Sequence, residues 1–445
     1  MFEYVRLQNY KSFGNAEISF MDRNNRPKRM ILIYGENGIG KSNLASAFFM
    51  LSETMRTMDV RDLMESLLAE RPDTINDTEE LRKILQIRYR DIETLIKENK
   101  TVGSSGTMML EFGFRINNKS GRYLIEMNDS QIVHERLEYT LTQRRGIYFD
   151  ITPTKATISE KVFLGKDAYQ AIKSSCKKFW GKHSLLSILM HESDDKSDQY
   201  IREQIEGNFN TILHFFSRVS CRIKFGSRQE RGIIGLPHEI LGEYENGYIK
   251  KSDSALLERT EKMLNEFLCA TYKDIIRAYY KKTIDENKIH YQLILTKRVA
   301  GQPREIDFSL ESTGTQSLIQ QLPFMLVVVN GSVAVLDEFD TGIHDILVKA
   351  LATSLYDDIE GQLIMTTHNT LLMESSIPKE CLYVINELES GEKEIQCILH
   401  YNNKIGENNN IRKQYLLGRY SGIPDEAKID FHALLRTLKS REETE

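Results

Sequence analysis

Apolar and polar positions alternate over residues 2–8 and again over residues 16–21, which predicts two strands joined through residues 9–14. Residues 30–34 are an unbroken apolar run, as expected of a strand covered on both faces, and residues 43–51 read as a helix. Further on, Leu81, Leu85, Arg88, Ile92 and Leu95 recur at alternating spacings of four and three behind an Asp77/Glu80 capping pair. That pattern predicts a packed helical excursion over about 53–100. From Thr107 the period returns to two, predicting strands in MMLEFGFRI, GRYLIEM and HERLEYTLTQ that complete the first lobe's sheet. Residues 166–272 read as mainly helical, with apolar faces at 184–190, 200–220 and 255–272 and an exposed glycine-rich loop over 226–248. Strands are expected again at 274–282, 288–296 and 305–310, a helix at 318–328, and short buried strands at 333–336 and 362–366.

With 445 residues the chain exceeds one ordinary core, so it divides into an N-terminal part (1–160), a helical insertion (161–272) and a C-terminal part (273–445). The fold class is α/β, with antiparallel strands ahead of the buried one, unlike a plain doubly wound sheet. Hydrophobic residues at 40% and charged residues at 28% are those of a globular chain, and no apolar run approaches the ~20 residues of a membrane span. No signal segment opens the chain, so a cytoplasmic location without membrane contact is expected. Five scattered cysteines in no C-x-x-C spacing argue against zinc and a disulfide scaffold. A net charge of -5 gives no global attraction to nucleic acid. The basic clusters at Arg23–Arg29 and at Lys177-Lys178 read as solvated turns, with phosphate contact as the alternative.

The candidate chemistry begins directly after the apolar run. Gly35-Glu36-Asn37-Gly38-Ile39-Gly40-Lys41-Ser42-Asn43 contains the G-x-x-x-x-G-K-[ST] spacing between a strand and a helix. Glycines there let backbone N–H groups turn onto a phosphate at a helix N-terminus, Lys41 reaches the β/γ-phosphates, and the Ser42 hydroxyl holds Mg²⁺. Much later, the strand at 333–336 ends in Asp337-Glu338. An acid at that tip supports Mg²⁺, and the next carboxylate is placed to deprotonate an attacking water. The strand at 362–366 ends in Thr367-His368, a histidine level with the γ-phosphate. Upstream, Ser312-Thr313-Gly314-Thr315-Gln316 opens a helix, with Ser312 as cap and a further anion site at its start.

Phosphate loop, helical insertion, small-residue helix start, strand with Asp-Glu, then strand with His is an order that resembles ABC-type ATPase heads. Lys11-Ser12-Phe13, GENGIGKSN, LDEFDTGIH and TTHNTLL are similar to the SMC/RecF/OLD branch, as is the late YLLGRYSGIP, including stand-alone ATPases of OLD-like and PARIS-type phage defence. The resemblance covers about half the chain, at both ends. It implies ATP and Mg²⁺ as cofactors, Walker A at Gly35–Ser42, Walker B at Asp337 with Glu338 as base, and His368 as switch histidine. It further implies a signature segment at Ser312–Gln316, a D-loop at Asp340, and Lys11 beside the loop. Two copies would sandwich ATP, Ser312 and Gly314 of one facing the nucleotide held by Lys41 of the other. The departures are STGTQ in place of the usual serine-glycine-glycine core and no clear Q-loop, for which Gln131 is the nearest candidate. An insertion this short does not build a long coiled coil.

These readings imply an oligomeric ATPase switch that senses a trigger, such as a phage protein, and controls a separate nuclease or toxin effector. No nuclease-type acidic pair follows His368. Two alternatives stand beside it: a RecF-like DNA-binding repair ATPase, which leaves nucleic-acid binding open, and a scaffold that binds nucleotide without hydrolysing it.

Overall fold

The computed structural model describes residues 1–62, 90–141, 144–195, 205–225, 229–235, 242–401, 410–423 and 429–439. Strands β1 (Phe2–Tyr10) and β2 (Phe13–Ser19) form an antiparallel hairpin. Strand β3 (Met30–Tyr34) leads through the glycine-rich loop into helix α1 (Lys41–Thr54), and a short helix α2 (Ile92–Asn99) follows. Strands β4 (Met108–Ile116), β5 (Lys119–Met127), β6 (Ile132–Thr140), β7 (Arg145–Thr152) and β8 (Lys155–Ile158) then run as a meander. Together they make an antiparallel seven-stranded sheet of order β2-β1-β4-β5-β6-β7-β8. Strand β3 is not in it. The reason is legible in the side chains: β1 exposes Arg6 and Gln8 on one face, whereas every residue of β3 is buried and needs cover on both sides.

Helices α3 (Lys166–Phe179), α4 (Leu185–Asp195) and α5 (Gly207–Ser217) fill the expected insertion. Its remainder differs from expectation. Strands β9 (Ser220–Phe225), β10 (Gln229–Ile233) and β11 (Asn246–Lys250) precede helix α6 (Ser254–Thr271), so the stretch expected as amphipathic helix followed by open loop contributes to two sheets. In β9 the buried Cys221 and Ile223 join the hydrophobic core, and a six-residue segment with apolar residues two apart suits a strand better than a helix end. Strands β12 (Ile275–Asp285), β13 (Lys288–Val299) and β14 (Gln302–Asp307) form their own antiparallel sheet with β11 rather than extending the first. The heptad residues Leu81, Leu85 and Arg88 and the Asp77/Glu80 cap lie outside the described residues; Ile92 and Leu95 are buried in α2.

Helix α7 (Thr313–Val329), strand β15 (Val333–Leu336), helix α8 (Asp345–Asp358) and strand β16 (Gln362–Thr366) complete the region of the late motifs. After them come β17 (Leu382–Glu387), β18 (Lys393–Cys397) and helices α9 (Ile411–Leu416) and α10 (Phe431–Lys439). The core sheet has the order β10-β9-β15-β16-β3-β17-β18, with β9, β15, β16, β3 and β17 mutually parallel. Side chains alternate across it: Ile31, Ile33, Val335 and Ile364 enter the core shared with the antiparallel sheet, while Leu32, Ala334, Leu336 and Met365 enter the core beneath α7 and α8. Buried side chains tie the two sheets, among them Gln362 and Tyr383, whose hydroxyl donates to Ser19 O at 2.6 Å. Gln362 accepts from Phe2 N at 2.6 Å and donates to Phe2 O and Lys28 O, each at 2.9 Å. None of the five cysteines is in a disulfide. Among the described residues, no helix is long and apolar enough to cross a membrane.

Candidate nucleotide site

Parallel strands place their carboxyl ends on one edge, and the order β9-β15-β16-β3 brings four strand tips side by side there. The loop from β3 turns through Gly35, Gly38 and Gly40 at φ +152°, +81° and +118°. Such values strain any residue with a Cβ, and at Gly40 that atom would also lie 2.9 Å from Ser12 Oγ. At Gly38 the corresponding space is open, while Glu36 is half-buried and Asn37 exposed. The Lys41 ammonium donates to Gly35 O and Glu36 O at 2.8 Å each. Burial lowers its pKa, against the pull of Asp337, Glu338 and Asp340. Asn43 Nδ2 donates to Ser12 Oγ at 2.7 Å, so the Lys11-Ser12-Phe13 turn packs on the loop. Lys11 itself has φ +47°, and burial pulls its pKa down to about 8 against Glu98 and Asp337.

Two motifs 295 residues apart meet at Asp337. Its Oδ1 accepts from Ser42 Oγ at 3.1 Å and from Thr366 Oγ1 at 2.7 Å, and its Oδ2 from Lys224 N at 3.4 Å. Burial, reinforced by Glu338, raises the Asp337 pKa against these donors. Ser42 Oγ and the Asp337 carboxylate are hard oxygen donors a hydrogen bond apart, a set that fits Mg²⁺ completed by phosphate oxygens and water.

Glu338 is held in a left-handed conformation, φ +49°, its N–H donating to Thr366 Oγ1 at 2.8 Å. Such a backbone at a non-glycine residue costs of order 1 kcal/mol and persists where surrounding bonds impose it. Its Oε2 accepts from Lys224 Nζ at 2.8 Å and Thr341 Oγ1 at 3.0 Å. Burial pushes the Glu338 carboxyl up, but the Lys224 bond and charge, Thr341 and His368 outweigh it, and the net shift is downward. His368 is anchored through its backbone N–H to Asp340 Oδ2 at 2.9 Å. Burial and the Lys41 charge lower its pKa, opposed by Asp340, Glu338 and Asp337.

Ser312 caps α7, its Oγ accepting from Thr315 N at 3.2 Å, and it is exposed. A Cβ on Gly314 would lie 2.3 Å from Gly342 O, so the glycine is required by close packing of the α7 start on the 340–342 turn of the same chain. The contacts of Ser312 and Gly314 thus lead to that turn and to the helix's own first turn rather than to residues 35–43. Gln131 is not at this edge. It sits in the turn before β6, where its N–H donates to Asn128 Oδ1 at 2.9 Å. The strand beside the acidic one is β9, and the side chain at its tip is Lys224. Lys224, Thr341 and Thr366 went unassigned from the sequence. The signal for Lys224 was the alternation Cys221, Ile223 against Arg222, Lys224, which marks a strand with one polar face.

The late Tyr415 ring lies 5.8 Å from that of Tyr34, and its hydroxyl donates to Gly422 O at 2.8 Å, which packs the C-terminal motif against the base of the loop strand.

The chain belongs to the family described as "AAA domain, putative AbiEii toxin, Type IV TA system", which matches residues 30–374 and so spans the loop, the acidic strand and His368. The matched family is that of an AAA domain, an ATPase type, and the chain's α/β core sheet carries the glycine-rich loop and the acidic strand tip on one edge. No curated protein matches in sequence. Among solved structures it is similar to the SMC head domain from Thermotoga maritima, at 16% identity and TM-score 0.36 over 89% of this chain and 98% of that one. It is also similar to an SmcHead bound to the C-winged helix domain of ScpA, at 14% and 0.40 over 89% and 96%. A third is an Smc head with an extended coiled coil bound to the C-terminal domain of ScpA derived from Pyrococcus furiosus, at 14% and 0.35 over 89% and 95%.

Proposed function

We propose that this chain binds and hydrolyses ATP, and that closure of two copies around the nucleotide switches a separate effector protein in anti-phage defence. The observation that carries the hydrolytic reading is the junction of Ser42, Asp337 and Thr366 within 3.1 Å, with Glu338 one residue on. In this reading Lys41 and the backbone N–H groups of residues 38–43 bind the phosphates, and Ser42 and Asp337 would hold Mg²⁺, which when bound would supply positive charge to the phosphate oxygens. Glu338 accepts the proton of the water that attacks the γ-phosphorus as the bond to the ADP oxygen breaks. Asp340 fixes the His368 backbone, and the imidazole stabilises charge at the same phosphate. The α7 start, with Ser312 exposed, is the surface offered to a second copy. The family's toxin–antitoxin description supports a defence role.

The test is phosphate release measured beside ATP binding. Glu338→Gln should lose about 10²-fold or more in release while binding ATP as the parent does. Equal release by variant and parent would remove Glu338 from its role.

A further inference from the structure

A cavity of about 510 Å³ lies between the β7–β8 hairpin and helix α3. That volume is in the range of small-ligand pockets, about 300–1,000 Å³. Its lining combines Lys155 from the hairpin with Tyr169, Lys173, Lys177 and Trp180 from α3 and its C-cap, and Gln131 from the turn before β6. The four α3 positions are spaced by four, four and three, which places them on one helical face. Among the described lining residues three are lysines and none is Asp or Glu. A lysine near a helix C-terminus is favoured by the helix dipole alone. That accounts for Lys177 and for Lys178, which sits 4.6 Å over the Phe179 ring, but not for Lys173 in the turn before or for Lys155, which arrives from a strand.

The aromatic wall is fixed in advance. Trp180 Nε1 donates at 2.8 Å to Glu135, which is fully buried and also accepts from Tyr123 OH and Leu185 N. The next residue, Gly181, has φ +99°, and its carbonyl accepts from Ile132 N at 2.8 Å. Lys173 Nζ lies 5.4 Å from the Tyr169 ring centroid.

From this set we infer a second binding site, for a nucleoside monophosphate unit: phosphate on Lys155, Lys173 and Lys177, and the base against Trp180. Lysines grouped without a carboxylate select an anion, and the indole at the end of the row selects a planar ring beside it. Gln131 supplies an amide to the base edge. The unit is a free nucleotide or the phosphorylated end of a strand, which share this chemistry. The site owes nothing to Lys41 or the phosphate loop.

Trp180 is the chain's single tryptophan, so its emission reports on this cavity alone. The experiment titrates the full chain carrying Lys41→Ala, which silences the phosphate loop, with thymidine 5′-monophosphate and with a 5′-phosphorylated oligothymidylate. Saturable quenching is expected, and combining Lys173→Glu with Lys177→Glu should weaken it about tenfold or more with the thermal midpoint unchanged. Quenching by the monophosphate assigns a free nucleotide; tighter quenching by the oligonucleotide, lost without its 5′-phosphate, assigns a strand end. No saturable quenching by either, or quenching untouched by the paired charge reversal, overturns the site. So does quenching seen in the parent and absent with Lys41→Ala.

Discussion

At the edge of the core sheet, Lys224 is paired with Glu338 at 2.8 Å and Lys41 is held by two backbone carbonyls. In the cavity beside α3, Lys155, Lys173 and Lys177 line a space without a carboxylate among its described residues. The first arrangement pairs one lysine with the carboxylate proposed as base, and strand tips dictate its geometry. The second groups three lysines with no acid among the described lining residues, on the surface of a helix and a hairpin, where sheet geometry dictates nothing. A lysine bonded to a carboxylate, as Lys224 is to Glu338, orients that carboxylate, whereas lysines grouped without an acid suit an incoming anion.

The sharpest way to break this contrast is to ask whether the strand-tip site needs a second copy. Chains carrying Lys41→Ala and chains carrying Ser312→Arg should each be inactive. Mixed in equal amounts, they should recover up to about a quarter of the parental phosphate release, because half of random dimers hold one intact composite site of two. No recovery, with both variants folded, would confine the site to a single copy. The same mixing should leave Trp180 emission unaffected, since the cavity is built within one chain.

The next effect belongs to the cavity's foundation. Burial, against the donors Leu185 N, Trp180 and Tyr123, pushes Glu135 up to about 7 from 4.5. The folded chain therefore retains a proton that the unfolded chain releases. The contribution is complete below pH 4.5 and is lost as pH rises to 7, about 3 kcal/mol in all. Urea midpoints at pH 5 and pH 7 should differ in the parent by more than in Glu135→Gln, which has no proton to lose. An identical difference in both would mean that Glu135 does not carry it.

Gly314 tests how much of the signature segment is structural. Adding a methyl group 2.3 Å from Gly342 O forces the α7 start off the 340–342 turn, and overpacking of this kind costs about 1–3 kcal/mol. Gly314→Ala should lower the thermal midpoint even in monomeric, nucleotide-free protein. A midpoint unchanged there would show that the turn yields and that the glycine serves a partner instead.

The strand-tip site was readable from sequence to the extent that its residues are contiguous. GENGIGKSN, Asp337-Glu338 and Thr367-His368 each sit on one loop or strand tip, so local spacing sufficed to find them. Lys224 escaped because β9 is six residues long, lies in a stretch that reads as helix, and gains meaning only by pairing with β15. Gln131 was misplaced for the same reason in reverse: the sequence does not say which strand neighbours the acidic one. The separation into two sheets was legible in part, since the all-apolar β3 already differed from the alternating β1. The cavity was not, because it requires β7, β8 and α3 to face one another.

Lys224 offers the finest discrimination between a paired lysine that positions and one that merely stabilises. It holds Glu338 Oε2 while the Glu338 backbone sits at φ +49°, so removing it frees a carboxylate whose direction matters. Lys224→Met should reduce kcat about tenfold with KM for ATP little changed, as expected when a base is misdirected while phosphate binding persists. It should also move the acidic limb of the pH–rate profile upward, because Lys224 is the chief group drawing the Glu338 pKa down against burial. Lys224→Arg, which keeps the charge and a donor, should restore part of the rate and return the acidic limb toward its parental position. A fall in stability with kcat and the acidic limb unchanged would make Lys224 structural, and the pairing at the sheet edge would then say nothing about the reaction.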